Sequence, residues 1–432
     1  MRVTDLKNKN IVIWGLGCEG KATAGFIRLH FPNQALTFVD EDPDSVTSFV
    51  APHDRLILKP DQIEVALVEA DVIIKSPGVS VYHPMLRGKK PTSLLNLWMA
   101  EPRVAKTICV TGTKGKSTTS ALLVHTLQAL GEQATLLGNI GVPVTEFPAI
   151  ERGFAIIEVS SYQAATLAET CDLGIVTSLY PEHLDWHKSL QAYYRDKLNL
   201  LGHSRVGVIN ADARETARQY GIEVMGALLF NHPSYCHVKD GRISIGGELL
   251  DFPANTYLSR AHNLVNVLAA LTVLKQLDVD PKDALLKMAD FEGLPHRQQE
   301  LGEINGVLYV DDSISTTPQS AIAALEVYAS RTITLLVGGF DRGITYSPLI
   351  DYIRQKNISN VICMGDSGRR IYEELEESKT FLVASLQEAV TLARKKTLVG
   401  GVVLLSPAAP SYGMFKDFKE RGRVFTELAR QE

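Results

Sequence analysis

The sequence predicts an α/β protein of three domains in series, each built around a mostly parallel sheet. Three observations carry that expectation. The chain has 432 residues, and at about 150 residues per domain that length suggests three cores. Short apolar runs rich in β-branched residues alternate with stretches of helical periodicity, the pattern of strand–helix–strand crossovers. Several of the runs end in glycine-containing or acidic turns, where such sheets bind their ligands.

Composition narrows the function classes. The chain is 45% hydrophobic and 22% charged, with a mean hydropathy of +0.02. A formal net charge of -5 and the lack of a basic block argue against nucleic acid or a membrane surface as partner. The opening "MRVTDLKNKNIVIWG" has no apolar core of signal-peptide length, and no apolar run is long enough to span a bilayer, so a cytoplasmic location without membrane insertion is expected. The 5 cysteines (Cys18, Cys109, Cys171, Cys236 and Cys363) are scattered, odd in number and free of C-x-x-C spacing. They read as reduced packing residues, not as a disulfide framework or a zinc site.

In the first segment "NIVIWG" reads as a short buried strand and "GKATAGFIRLHF" as a helix. "ALTFVDED" is a second strand ending in acids, and "ADVIIKSPG" a third ending in a turn. The segment closes near Glu101-Pro102-Arg103, giving a first domain of residues 1–103. "IWGLGCEGKA" sets Gly15, Gly17 and Gly20 in a G-x-G-x-x-G loop, with Asp40 at the end of the next strand. This is a Rossmann-like fingerprint, in which a helix N-terminus holds a diphosphate and the acid a ribose. By itself it also admits a nicotinamide-dependent oxidoreductase.

The second domain, residues 104–298, opens with "KTICVTG" and continues through "FAIIEVSS", "DLGIVTSLY" and "SRVGVINAD". "HVKDGRISIGGELLDFP" then alternates and turns like a small antiparallel unit, and "AHNLVNVLAALTVLKQL" reads as a helix. Within "TICVTGTKGKSTTS" a buried strand, a glycine turn and a helix start follow one another. Together they make an anion site, because backbone N–H groups converge and the helix dipole adds about half a positive charge. Residues Gly112, Thr113, Lys114, Gly115, Lys116, Ser117 and Thr118 would cradle ATP phosphates, with Lys116 on the β/γ-phosphates and Ser117 on Mg²⁺. The usual G-x-x-x-x-G-K-[ST] spacing asks for glycine at position 110, where Val110 stands. Glu158, at the end of an apolar strand, offers the hard oxygen that magnesium prefers; the alternative is a strand-end acid with no role. Glu182, His183, Asp185 and His187 crowd a short loop farther on.

The third domain, residues 299–432, repeats the alternation in "GVLYVDDS", "TITLLVGGF", "SNVICMGD" and "GGVVLLSPAAPS". The expected architecture is therefore a Rossmann-like domain, a central P-loop ATPase-type parallel sheet and a second Rossmann-like domain.

"TGTKGKST" resembles the T-G-T-x-G-K-[ST] loop of the Mur ligases and the folylpolyglutamate synthetases, ATP-dependent amide-forming ligases in which the shortened loop is the rule. The resemblance extends over essentially the whole chain. "EVSSYQ" matches E-x-S-S-[FY]-Q at Glu158, Ser160, Ser161 and Gln163, and "EHLD" with the helix behind it matches at His183 and Lys197. It implies two Mg²⁺ sites drawn from Ser117, Glu158, His183 and Lys197, the lysine carrying a carbamate derived from CO₂. Lys116, Glu158, His183 and Lys197 are the implied catalytic set. "AHNLVN" implies Asn263 on the adenine side, "GLPHR" implies His296 and Arg297 at a hinge, and Arg297 and Asp312 are implied to contact ATP.

The quarter of the chain ahead of the phosphate loop resembles the uridine-nucleotide domain of the muramoyl ligases. It implies Gly17, Cys18, Glu19, Asp40, Ser76, Gly78, Asn139 and Ser160 as contacts of a UDP-sugar substrate. "VDDSISTTPQSAIAAL" and "LSPAAPSYGMFKDFKERG" resemble glutamate-adding members, with Thr316, Arg342, Ser411 and Phe418 around the amino acid. Arg342 suits its side-chain carboxylate, since a guanidinium binds both oxygens at once. Ile314 stands where a lysine is usual, Pro318 at or beside an asparagine position and Gly413 where an aspartate is usual. All three lie near the glutamate. The resemblance thus implies a monomeric, cytoplasmic, ATP- and Mg²⁺-dependent ligase that joins D-glutamate to UDP-N-acetylmuramoyl-L-alanine through an acyl phosphate in peptidoglycan precursor synthesis. An L-glutamate-adding muramoyl ligase is the alternative, and a folylpolyglutamate synthetase a weaker one. Closure of the third domain to exclude water is a further implication.

Overall fold

Apolar strands separated by helices pair in parallel, because each crossover returns the chain to the same end of the sheet. The computed structural model describes residues 1–41, 49–138, 143–146, 152–252, 255, 257–356, 358–375 and 378–431. Their contacts separate two compact units, Met1–Phe291 and Glu292–Glu432. Unit 1 holds two sheets and unit 2 one, all parallel-rich, so the α/β class expected from the sequence is the class observed.

The first sheet contains β1 (Ile11–Trp14), β2 (Thr37–Val39), β3 (Arg55–Ile57) and β4 (Val72–Lys75). They run parallel in the order β3-β2-β1-β4. Every residue of β1 is buried because both faces are covered. Ile11 and Ile13 pack with Ala24 and Ile27 of helix Cys18–His30, whereas Val12 and Trp14 pack with Ile63, Ala66 and Leu67 of helix Pro60–Glu69.

The second sheet contains β5 (Lys106–Thr111), β6 (Ala134–Gly138), β7 (Phe154–Glu158), β8 (Cys171–Val176), β9 (Ser204–Asn210), β10 (Leu228–Phe230), β11 (Cys236–Lys239), β12 (Arg242–Ile245) and β13 (Glu248–Leu250). Its order is β13-β12-β11-β10-β9-β8-β5-β7-β6. The β11–β12–β13 meander is antiparallel, as its alternating sequence predicts. Ile108 and Val110 face a core shared with helices Lys116–Ala129 and Ala261–Gln276. Cys109, Ala155 and Ile157 face Leu94 and Leu95 of helix Leu94–Ala100 and Leu200 of helix Leu190–Gly202.

Unit 2 contains β14 (Gln299–Ile304), β15 (Val307–Asp311), β16 (Ile333–Val337), β17 (Ile358–Met364), β18 (Thr380–Val383) and β19 (Val402–Leu405). The order is β14-β15-β19-β16-β17-β18, parallel except for the edge strand β14. Helix Phe418–Arg430 packs Phe425 and Ala429 against Tyr309 and Leu336. In each sheet the strand order reverses beside β1, β5 or β15, and such a reversal opens a crevice at the strand C-termini. The five cysteines are all free, Cys18 exposed and the other four buried. Among the described residues no helix is long and apolar enough to cross a membrane.

Candidate active site

Val110 is fully buried within β5, opposite Glu158 of β7 and Ile175 of β8. The strand therefore runs on through the position where the longer loop would have begun. The turn starts at Gly112, with φ +147°, where a Cβ would lie 2.0 Å from Thr177 Oγ1. Gly115, left-handed at φ 86°, precedes helix Lys116–Ala129, whose first turn carries Lys116, Ser117 and the buried Thr118. The residues after β8 hold the loop in place. Thr113 N donates to Ser178 O at 2.9 Å, Lys114 N to Ser178 Oγ at 2.8 Å and Thr177 Oγ1 to Lys114 O at 2.5 Å. Thr113 Oγ1 pairs with the Tyr193 hydroxyl at 2.9 Å. Thr177, Ser178 and Tyr193 are site residues that sequence reasoning passed over; the polar Thr-Ser pair ending "DLGIVTSLY" was the available signal.

Two lysine amines converge on one carbonyl. Lys116 Nζ donates to Gly112 O at 2.9 Å and Thr113 O at 3.1 Å, and Lys197 Nζ donates to Gly112 O at 2.8 Å. Lys197 is only 2% exposed. Burial pushes its amine well below the ordinary lysine range, the nearby Lys116 charge adds to the effect, and Glu182 and Glu158 oppose it. Glu158 ends β7 with its side chain buried. His183, at φ 55°, hydrogen-bonds Tyr162 Oη through Nδ1 at 2.8 Å and lies 3.7 Å from Glu182 through Nε2. Burial lowers its pKa, Lys197, His187 and Lys116 act in the same direction, and Glu182 opposes. Lys114 Nζ reaches Glu182 at 2.8 Å.

Among the described residues no three His, Cys, Asp or Glu side chains form a metal cage. Magnesium does not need one, since one or two protein oxygens plus substrate phosphates suffice. The Ser117 hydroxyl and the Glu158 carboxylate fit that requirement. Lys197 as an amine offers no oxygen and would join the set only as a carbamate.

In the first crevice the Gly15 carbonyl accepts Ser76 Oγ at 2.9 Å, and a Cβ on Gly20 would lie 2.0 Å from that same carbonyl oxygen. Gly17 precedes helix Cys18–His30 with open space where a Cβ would stand; Gly78 is open too. Asp40 Oδ2 accepts Leu16 N at 2.8 Å, so this acid braces the loop. Cys18 is exposed at the helix start. Glu19 turns toward Gln163, accepting Nε2 at 3.3 Å, and burial raises its pKa. Ser160 caps helix Ser161–Ala164 reciprocally with Gln163, so Gln163 joins Glu19 to Ser160. Asn139 lies outside the described residues. Asn263 is buried, donates to Tyr257 O at 3.0 Å and accepts Asn266 Nδ2 at 3.3 Å. Asn266, another residue not singled out from sequence, accepts Thr119 Oγ1 of the phosphate-loop helix at 3.2 Å.

In unit 2 the end of β15 carries two buried acids. Asp311 holds His296 Nδ1 at 2.7 Å. Asp312 accepts Gln298 N at 3.1 Å, Ser315 Oγ at 2.5 Å and Ser406 Oγ at 2.7 Å. Burial lifts its carboxyl to about 6, against these hydrogen bonds and the nearby Arg297 charge. The exposed Arg342 donates to Thr316 O at 2.6 Å, bringing those two together. Phe418 O accepts Ser313 Oγ at 2.8 Å, and Ser411 is buried after β19. Arg421, which the sequence did not mark as a site residue, is buried and ties these loops. It donates to Ser313 Oγ at 3.0 Å, Ser313 O at 2.8 Å and Ala409 O at 3.1 Å.

The patterns of the Mur ligase middle domain and of the Mur ligase glutamate ligase domain match residues 110–274 and 296–409. A UDP-N-acetylmuramoyl-L-alanine–L-glutamate ligase of Salinispora tropica is 40% identical over 100% of this chain and 99% of its own. An enzyme of the same name from Xanthomonas campestris pv. campestris is 37% identical over 99% and 97%. The MurF ligase of Thermotoga maritima, solved in complex with ADP, shares the fold at a TM-score of 0.56 and 16% identity, covering 99% of this chain and 96% of that one. With two domain patterns matched and full-length relatives at this identity, the chain belongs to the Mur ligase family.

Proposed function

We propose that this ATP-dependent amide ligase joins L-glutamate to UDP-N-acetylmuramoyl-L-alanine, working as a monomer in the cytoplasmic phase of peptidoglycan synthesis. The observation that carries the chemistry is the short loop Gly112–Ser117, with the Lys116 and Lys197 amines on one carbonyl. The preference for L- over D-glutamate rests on the full-length relatives, both named for L-glutamate. Ile314, Pro318 and Gly413, the departures from the segments of glutamate-adding members, fall where the resemblance places the amino acid.

The substrate carboxylate attacks the γ-phosphorus of ATP, the bond to the β–γ bridging oxygen breaks, and ADP leaves with the electron pair. The glutamate amine then attacks the acyl carbon and loses a proton while the acyl–oxygen bond breaks and phosphate departs. Phosphoryl transfer needs positioning and charge neutralisation more than covalent help. Lys116 supplies both at the γ-phosphate. A divalent metal on Ser117 and Glu158, with a second toward His183 and a carbamate on Lys197, would neutralise further phosphate charge. The burial that lowers the Lys197 pKa supports that carbamate, because it favours the uncharged amine and only that form can add to CO₂. On this reading residues 1–103 take the UDP-sugar through Gly17, Cys18, Glu19, Asp40, Ser76 and Gly78, aided by Asn139 and Ser160. Residues 104–298 take ATP, with Asn263 on the adenine. Residues 299–432 take glutamate through Thr316, Arg342, Ser411 and Phe418, and Arg297 and Asp312 serve ATP.

The test is phosphate release with UDP-N-acetylmuramoyl-L-alanine and either enantiomer of glutamate. Turnover with L-glutamate and little with D-glutamate is expected. Turnover with D-glutamate alone, or with a folate in place of the UDP-sugar, overturns the reading.

A further inference from the structure

Besides Ser117 on the phosphate-loop helix, the proposed metal ligands come from three separate segments: the end of β7 (Glu158), the loop at His183 and helix Leu190–Gly202 (Lys197). One histidine touches all three, two of them through its ring and the third through its backbone. His187 is fully buried. Its Nδ1 meets Asp196 Oδ2 at 2.6 Å, and Asp196 is the helix neighbour of Lys197. Its Nε2 meets Ser161 Oγ at 3.0 Å, three residues beyond Glu158. Its backbone N–H donates to His183 O at 3.1 Å, closing the single helical turn Leu184–His187. Trp186, Tyr193 and Tyr162 surround the ring, with centroids 4.4, 5.0 and 5.6 Å away. A carboxylate at Nδ1 sets the tautomer, so Nδ1–H donates and Nε2 accepts from the serine.

The same knot reaches the nucleotide crevice. Tyr82 Oη donates to both Asp196 oxygens at 3.1 Å. Trp186 Nε1 donates to Pro77 O at 3.0 Å, and Ser80 Oγ to Trp186 O at 2.8 Å. The Ser161–His187–Asp196 series has the order of a nucleophilic triad, but Ser161 is 3% exposed. Its hydroxyl is engaged by the ring, and the series acts as a tie between segments.

We propose that His187 is a positioning residue whose two ring hydrogen bonds set the spacing of the Glu158 and Lys197 segments around the His183 loop, and thereby the affinity of the phosphate loop for a divalent cation. The inference rests on the metal-site reading above. Groups that orient metal ligands without touching the metal are worth about 10–100-fold in metal affinity.

The experiment titrates Mn²⁺ into the full-length protein in the presence of ADP and follows the free ion by its electron paramagnetic resonance signal. Binding of ADP without metal is measured alongside. His187→Ala should weaken Mn²⁺ by about 10–100-fold, and Ser161→Ala by a smaller factor, while ADP alone binds each as it binds wild type. A role confined to folding would lower melting temperature and leave the Mn²⁺ affinity of the folded protein unchanged, and that result overturns the proposal. If His187→Ala does not fold, Ser161→Ala with unchanged Mn²⁺ affinity overturns it as well. Glu158→Ala separates the two readings: unchanged Mn²⁺ binding there removes the metal site itself, whereas a loss there with none in the His187 and Ser161 variants removes only the positioning role.

Discussion

Replacing Gly112 by alanine tests the shortened loop directly. The added methyl would fall 2.0 Å from Thr177 Oγ1, 2.9 Å from Ser178 N and 3.1 Å from Thr177 N. Thr177 has little room to give. It is 3% exposed, and its hydroxyl donates to Lys114 O at 2.5 Å and Thr111 O at 3.2 Å. The backbone must therefore absorb the strain. A non-glycine residue held at such a positive φ costs about 1–3 kcal/mol, and overpacking adds about 1–3 kcal/mol. Relaxation would shift the Gly112 carbonyl, which anchors both lysine amines, and the charged hydrogen bond from Lys116 is worth about 1.5–3 kcal/mol. Even the lower figures sum to about 3.5 kcal/mol, or a loss of roughly three-hundredfold in nucleotide affinity at about 1.4 kcal/mol per tenfold. Calorimetric ADP titration at fixed magnesium measures it. Adding Thr177→Ala to Gly112→Ala removes the 2.0 Å contact and leaves the two backbone nitrogens, so part of the affinity should return. Affinity within about threefold of wild type in the single variant, or no recovery in the double variant, would refute the argument.

Lys197→Ala should lose phosphate release and regain part of it with added short carboxylic acids, which stand in for the carbamate; no regain would count against that modification. Arg342→Ala should raise KM for glutamate by roughly tenfold or more, the scale of one charged hydrogen bond, while KM for ATP stays near wild type. Equal effects on both would take Arg342 out of the amino-acid site. Asp312 makes stability depend on pH with a definite sign. Its carboxyl is lifted from 3.8 to about 6, so the folded state holds a proton that the unfolded state releases. Stability from this group is therefore greatest below pH 3.8 and falls as pH rises to 6, by about 3 kcal/mol at 1.36 kcal/mol per unit. Denaturant unfolding followed by circular dichroism should show wild type losing most of that, about 2.4 kcal/mol, relative to Asp312→Asn between pH 4 and pH 7; a difference constant with pH would contradict it.

The strand ends were legible because their physics is local. A buried apolar run that stops at a glycine or an acid marks the C-terminal edge of a parallel sheet, and Gly15, Gly112, Glu158 and Asp312 all stand at or just beyond such ends. Val110 was legible as a departure, but its reason is tertiary: it is a core residue between β7 and β8. What escaped the sequence are side chains whose role comes from a partner far along the chain. Ser178 meets Lys114 across 64 residues, Asn266 meets Thr119 across 147 and Arg421 meets Ser313 across 108. No periodicity or spacing links such positions. Asp40 was read as a ribose ligand from its place after β2, yet its contact with Leu16 N shows that the same carboxylate also builds the loop.

On the proposed reading, the two lysines that meet at the Gly112 carbonyl have opposite fates. Two ammonium groups on one carbonyl repel, and the cost falls on whichever is less hydrated. Lys116 is half-buried at the helix start, whereas Lys197 is buried on its helix. Burial and the Lys116 charge both favour the uncharged form of the Lys197 amine. That form is the nucleophile toward CO₂, and a carbamate there would set a negative charge beside Lys116. On this argument a variant that exposes the Lys197 amine to water would keep it protonated and unmodified. The loop would then carry two like charges on Gly112 O and bind ATP phosphates without the arrangement that transfers them.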